Sequence, residues 1–170
     1  MTTTVTSGGV IESADSLHDT IMVLEAMRGP NGVCAMVDGF QRMIDKAYES
    51  PSMYCRFEPG MPKGKANGDR TYSDVVRIMD TTSWAEEKMA VAMELVSAVE
   101  EILHKYPHGD DVCRYYLDKT GKVTWSTIAS EHGVSRRSVM NWRRACVKYA
   151  ARWSDELDVL YRRLFETIRM

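Results

Sequence analysis

The chain has no run of about eighteen uncharged apolar residues, which argues against a membrane-spanning helix. Its first ten residues, MTTTVTSGGV, lack the basic start and long apolar stretch of a secretory leader, so residues 1–12 are expected to be a disordered tail. The four cysteines, Cys34, Cys55, Cys113 and Cys146, lie far apart with no CxxC spacing. Disulfide frameworks belong to small secreted chains, so these read as reduced, mostly buried thiols of a cytoplasmic protein. His18, His104, His108 and His132 form no ligand ladder; His104 and His108 are four apart, but Pro107 ends the helix between them, and no metal is expected. No nucleophile with a base and no metal-binding carboxylate cluster is present, because Asp and Glu fall at the i, i+4 spacing of surface charge; neither catalysis nor a cofactor is expected. An Arg-rich disordered arm or a sheet of exposed aromatics is also missing, which disfavours an RNA binder. Glycine and proline are absent from Ser135 to Met170 and concentrated in 51–70.

What is present is a helix-turn-helix pattern at Trp125 to Arg144, WSTIASEHGVSRRSVMNWRR. Two helices that cross steeply need a small residue at the closest approach, and Ala129 supplies it. Their turn needs a residue that tolerates positive φ, which Gly133 does without a Cβ penalty. Ser135 suits the N-cap of the second helix, since its hydroxyl can accept from backbone N–H groups two or three residues on. Val139 and Trp142 then face inward.

Arg136, Arg137, Ser138, Asn141, Arg144 and Lys148 are the outward positions of that second helix, whose first turn is the part that meets base edges in a major groove. Arg137, Ser138 and Asn141 are the candidate base readers: Arg can grip guanine O6 and N7, and Asn can grip adenine N6 and N7. Arg136, Arg143, Arg144, Lys148 and Lys122 are the candidate phosphate contacts. Charge agrees with this division. Lys122 to Trp153 holds seven Lys or Arg against one Glu, a balance of +6 in a chain of net −2, which leaves −8 elsewhere. Such asymmetry confines an electrostatic footprint for nucleic acid to one end of the molecule.

The rest of the chain is expected to be all-α. Ser13 or Asp15 can cap a first helix with a Leu17, Ile21, Leu24 and Met27 stripe, ended by Gly29-Pro30. Apolar residues from Val33 to Tyr48 give a second helix, and the short link between them predicts an antiparallel hairpin. PSMYCRFEPGMPKGKANGDR, residues 51–70, is a loop with three prolines and three glycines, whose Arg56, Lys63, Lys65 and Arg70 are placed to reach phosphate or a partner unless it merely connects. A helix resumes near Ser73, and Ser83 with Glu86 forms a capping box before a seam of Ala85, Met89, Ala92, Val96, Val99, Leu103 and Tyr106, stopped by Pro107.

The expected organisation is therefore an N-terminal helical region over 13–107, a DNA-binding module over 108–153 and a C-terminal helix over 154–170. The last helix either continues the second helix of the module or starts afresh at Ser154-Asp155. Its stripe of Trp153, Leu157, Leu160, Tyr161, Leu164, Phe165 and Ile168 serves either as a homodimer interface or as core against the N-terminal hairpin.

With a short helix carrying Arg114, Tyr116 and Leu117 ahead of Trp125, Ile128, Ala129, Ser135 and Val139, the chain resembles the phage late-gene transcriptional regulators of the RinA and ArpU type. Their C-terminal module is similar to region four of bacterial sigma factors. Cys146 after Ala145 departs from the family's Ala-Leu ending. The resemblance is good over roughly residues 110–150, loose over 69–109, and architectural before that. It implies sequence-specific binding of double-stranded DNA and control of transcription in a prophage or related element, with RNA polymerase as a further partner. A phage packaging protein of the small-terminase kind is the alternative, although such proteins usually carry the helix-turn-helix at the N-terminus.

Overall fold

The computed structural model describes residues 14–49 and 68–166, leaving out the side chains of 68–74. The described residues form seven α-helices and no strand: α1 (Ala14–Met27), α2 (Val33–Glu49), α3 (Gly68–His104), α4 (Gly109–Tyr116), α5 (Trp125–Glu131), α6 (Arg136–Ala150) and α7 (Ser154–Glu166). The fold is all-α. None of these helices is long and apolar enough to cross a membrane.

The 37-residue α3 spans about 55 Å at 1.5 Å per residue and is the axis of the fold. It is flanked by α2 and α7, so it buries more than one face: Ala85, Ala92, Val99 and Leu103 from the expected seam, and also Val91, Leu95 and Ile102. That seam is core. Lys88 is fully buried on the same helix, and its Nζ donates to the backbone carbonyl of Arg163 at 3.0 Å, which meets one of the orphan carbonyls in the last turn of α7.

Two expectations are corrected. The capping box at Ser83 is not used, because α3 runs unbroken from Gly68 and Ser83 is an exposed residue inside it. Nothing between residues 68 and 104 breaks a helix, and continuous packing on α2 outweighs the local preference of a serine for a helix start. Nor do α1 and α2 pair as a hairpin: α2 lies along α3, while α1 makes its main contact with α7. The turn between them is tied elsewhere, through Gly29, whose φ is +85° and whose N–H donates to Asp118 O at 2.9 Å. The buried face of α1 is Thr20, Val23, Leu24 and Met27, with Leu17 left at the surface.

Of the two expectations for the last helix, the fresh start is the one found: the helix of the module stops at Ala150, a 3-10 turn occupies Ala151–Trp153, and α7 begins at Ser154. Ser154 does not cap α7, since it is buried with helical φ −54° and ψ −42°. The bend lays Leu157, Leu160 and Leu164 into the core against α1 and α3. Of the two expectations for this stripe, the core is the one found for Leu157, Leu160 and Leu164, while Trp153, Tyr161 and Phe165 are half-buried. The tail 1–12, most of the 51–70 loop with its Arg56, Lys63 and Lys65, and Ile168 lie outside the described residues; the last three positions assigned to the loop, 68–70, belong to α3.

Candidate nucleic-acid interface

Helices α4, α5 and α6 form the expected three-helix module. Thr124 caps α5, its Oγ1 accepting from Thr127 N at 3.1 Å. Gly133 holds φ +63°, and the next N–H, from Val134, closes the turn onto Ala129 O at 3.0 Å. Ser135 has extended φ −72° and ψ 150°, and its Oγ accepts from Ser138 N at 3.1 Å. Ile128, Ala129 and Val139 are buried where the two helices cross. Each role assigned to Ala129, Gly133, Ser135 and Val139 is thus found.

The loop that enters α5 is organised by one carboxylate. Asp118 accepts from Thr120 N (2.9 Å), Thr120 Oγ1 (2.7 Å) and Val123 N (2.7 Å). Desolvation works against its charge, but these bonds outweigh it and hold its pKa down at about 2. From the end of α1, Arg28 reaches over this loop. Its Nη2 donates to Gly121 O (2.8 Å) and Val123 O (2.7 Å), and its guanidinium lies 4.1 Å from the centre of the Tyr115 ring. Tyr115 in turn stacks on Trp125 at 3.7 Å. The core runs through all seven helices, so the module shares its interior with the N-terminal region.

Arg136, Arg137, Asn141, Arg144, Lys148 and Lys122 are all exposed, and the structure brings the five on α6 onto its solvent side. The side chains of Arg136, Arg137, Asn141 and Arg144 make no hydrogen bond or ion pair with any described residue. Ser138 is only half-exposed, with its Oγ 3.0 Å from Ser135 Oγ inside the cap. Lys148 lies with Tyr106, Tyr149 and Arg152 along a shallow groove at the far end of the helix.

Arg143 departs from the phosphate role expected of it. It is turned inward, its Nε donating to Tyr116 OH at 2.8 Å and its Nη2 to Glu25 Oε1 at 3.0 Å. Burial opposes its charge, yet the Tyr116 and Glu25 contacts hold its pKa above the ordinary arginine value. For Tyr116, burial dominates and lifts the hydroxyl to about 12 despite the arginine. The signal was present in the sequence: Arg143 follows Val139 by four residues and precedes Val147 by four, so it sits on the buried stripe of α6.

Sequence reasoning also missed the Glu25 and Arg28 supports, which no local spacing announces, and the surroundings of Trp142. This indole is half-buried, stacked on His108 at 3.8 Å and met edge-on by His132 at 5.5 Å. Cys34, Cys113 and Cys146 are buried and unpaired, with burial pushing their thiols up to about 11, 12 and 11. Such thiols are inert at neutral pH.

No family model matches the chain, and neither does any curated protein or solved structure.

Proposed function

We propose that this protein reads double-stranded DNA in the major groove through α6 and regulates transcription, as the resemblance to phage late-gene regulators implies. The observation that carries the reading is the exposed row of Arg137, Asn141, Arg144 and Lys148 on the outer side of a helix whose inner side is locked by Ala129, Gly133 and Val139. A solvated charged face needs no such scaffold, whereas a groove reader needs a helix held at fixed height and angle. The base readers are Arg137 and Asn141, in the first two turns; the phosphate contacts are Arg144 and Lys148 farther along the helix, with Arg136 and Lys122. Arg143 is left out of the DNA set because Glu25 and Tyr116 hold it.

A single module of this size contacts too little DNA for tight specific binding, so we further propose that it acts as a pair of chains on two half-sites. Leu157, Leu160 and Leu164 of the α7 stripe are buried in the chain's own core. RNA polymerase is the partner through which such a regulator acts.

Selection of bound sites from random duplex DNA tests the reading. Enrichment of a motif, repeated at about one helical turn if two chains bind, is the expected result. Recovery of no motif at low salt sinks it. Footprinting on DNA of the source element then separates regulation from packaging, by a site upstream of late genes or at a packaging start.

A further inference from the structure

Arg137, Asn141, Arg144 and Lys148 recur along α6 at spacings of four, three and four, so these exposed side chains lie within about 60° of one another around the helix axis. Lys148 stands about 16 Å along that axis from Arg137 at 1.5 Å per residue. A major groove is only about 12 Å wide. A straight helix whose first turns reach base edges therefore carries its far end out of the groove and over a sugar-phosphate strand.

A built surface stands at that far end. Lys148 lines a groove of about 300 Å³ together with Tyr106, Ala145, Tyr149 and Arg152. Three parts of the fold meet in it: Tyr106 from the turn that ends α3, Lys148 and Tyr149 from α6, and Arg152 from the 3-10 turn. The Tyr106 ring lies 5.0 Å from that of Tyr149, which is 5.0 Å from that of Trp153. The Arg152 guanidinium stands 5.4 Å from the centre of the Tyr149 ring. Lys148 and Arg152 are exposed, whereas the rings are half-buried. No carboxylate of the described residues lines the groove. Glu101 is engaged by Lys105 at 2.7 Å, and Asp155 and Glu156, which follow Arg152 in the chain, belong to the first turn of α7.

We propose that this groove takes a backbone phosphate of the duplex that α6 reads, so that the protein grips DNA flanking its base-reading turns. This rests on the reading of α6 as the DNA-facing helix. Arg152 and Lys148 supply the charge, and the Tyr106 and Tyr149 hydroxyls are neutral donors to phosphate oxygens. Two cations with no carboxylate between them select an anion, and Lys148 belongs both to the groove and to the outward row of α6, which fixes where that anion comes from. A guanidinium held against a ring gives up less freedom when it grips an oxygen than one on a bare surface. The contact reads no sequence, so it strengthens binding to every duplex. Through Tyr106, the helix that forms the axis of the fold also reaches the DNA.

The test uses the full chain with two duplexes, one recovered from the random-site selection and one of unrelated sequence. Arg152→Ala should weaken binding to both by the same factor, about three- to tenfold, and make the salt slope shallower by about one. Arg152→Lys should keep the wild-type slope. Tyr106→Phe should cost about two- to fivefold with the slope unchanged, as the loss of a neutral donor does. Arg77→Ala is the control, an exposed arginine on α3 about 40 Å from the end that carries Tyr106, and should bind like wild type. Neutral methylphosphonates placed one at a time along the selected duplex then locate the contact. At one position flanking the motif, the substitution should weaken wild type as much as Arg152→Ala does and weaken that variant no further. Inorganic phosphate should displace the duplex no better than chloride at equal ionic strength.

Wild-type affinity and slope in Arg152→Ala overturn the proposal while leaving the reading of α6 intact. A loss confined to the selected sequence overturns it by making Arg152 a base reader, and a lowered melting temperature with an unchanged slope does so by making it merely structural. So does a methylphosphonate scan in which every position costs wild type and variant alike. Displacement by inorganic phosphate beyond its ionic strength would assign the groove to a free anion and overturn it as well. A wild-type chain that binds neither duplex overturns this proposal and the DNA reading together.

Discussion

Arg143 on α6 and Glu25 on α1 are 118 positions apart and meet at 3.0 Å. Through this pair and the bond from Arg143 to Tyr116, α1 holds the helix proposed to enter DNA. Adjacent arginines therefore do different work: Arg143 ties α6 to the core, and Arg144 faces solvent.

The difference is measurable. Arg143→Ala strips a buried tyrosine hydroxyl of its partner and should destabilise the fold by about 1 to 3 kcal/mol. Arg144→Ala should change stability by no more than about 0.5 kcal/mol, yet weaken binding to every duplex and flatten its salt dependence. Urea unfolding and binding titrations at several salt concentrations check both. Equal stability losses for the two would contradict the inward placement.

At the other end of α6, Arg137→Ala and Asn141→Ala should each weaken binding to the selected site by about 1 to 3 kcal/mol and relax one base position. Repeating the site selection with each variant reports this directly. An unchanged motif would exclude the mutated residue as a base reader.

The turn of the module offers a test of backbone strain. A Cβ on Gly133 would meet no atom within 4 Å, so crowding is not the obstacle; φ +63° is. Gly133→Ala should cost about 1 to 2 kcal/mol and Gly133→Val more, because a β-branched residue is still less at ease there. Ala129→Leu, by contrast, should cost about 1 to 3 kcal/mol through overpacking of the helix crossing. Thermal unfolding of the three variants separates the effects, and a neutral Gly133→Val would remove the positive-φ explanation.

Acid should loosen the entry to α5 before it unfolds the whole. The Asp118 pKa is depressed to about 2, so its contribution is present above the ordinary aspartate value near 3.9 and is lost as pH falls from there toward 2. Asp118→Asn should remove that part of the acid sensitivity and lower stability at neutral pH. Unfolding curves between pH 2 and 7 would show it, and an identical pH profile for the variant would discount the carboxylate.

The stripe on α7 should behave as core. Leu160→Ala should destabilise by about 2 to 5 kcal/mol, and a chain ending at Arg152 should fail to unfold cooperatively, since α1 and α3 lose the helix that covers them. Sedimentation and calorimetry of the truncated chain make the check. A cooperatively folded module surviving that truncation would mean the stripe is dispensable to the core.

The sequence by itself determined whatever rests on a residue's near neighbours. Helical class followed from apolar spacing, and the module from Ala129, Gly133, Ser135 and Val139, because a small residue at a crossing, a positive φ and a capping hydroxyl are each decided within a few positions. Apolar periodicity also marked the faces of α3 and α7 as buried. What it left open was the partner of each face. Burial of apolar surface is non-directional, so the short link that predicted α1 against α2, its neighbour in the chain, was overruled by α7, its neighbour in space. Only the tertiary structure chose α7, and that choice brought Glu25 to Arg143, Arg28 to the loop before α5, and the C-terminal leucines into the core. The two histidines on Trp142 belong to the same class: one comes from the start of α4 and the other from the end of α5, and the packing of those helices against α6 is what makes them neighbours.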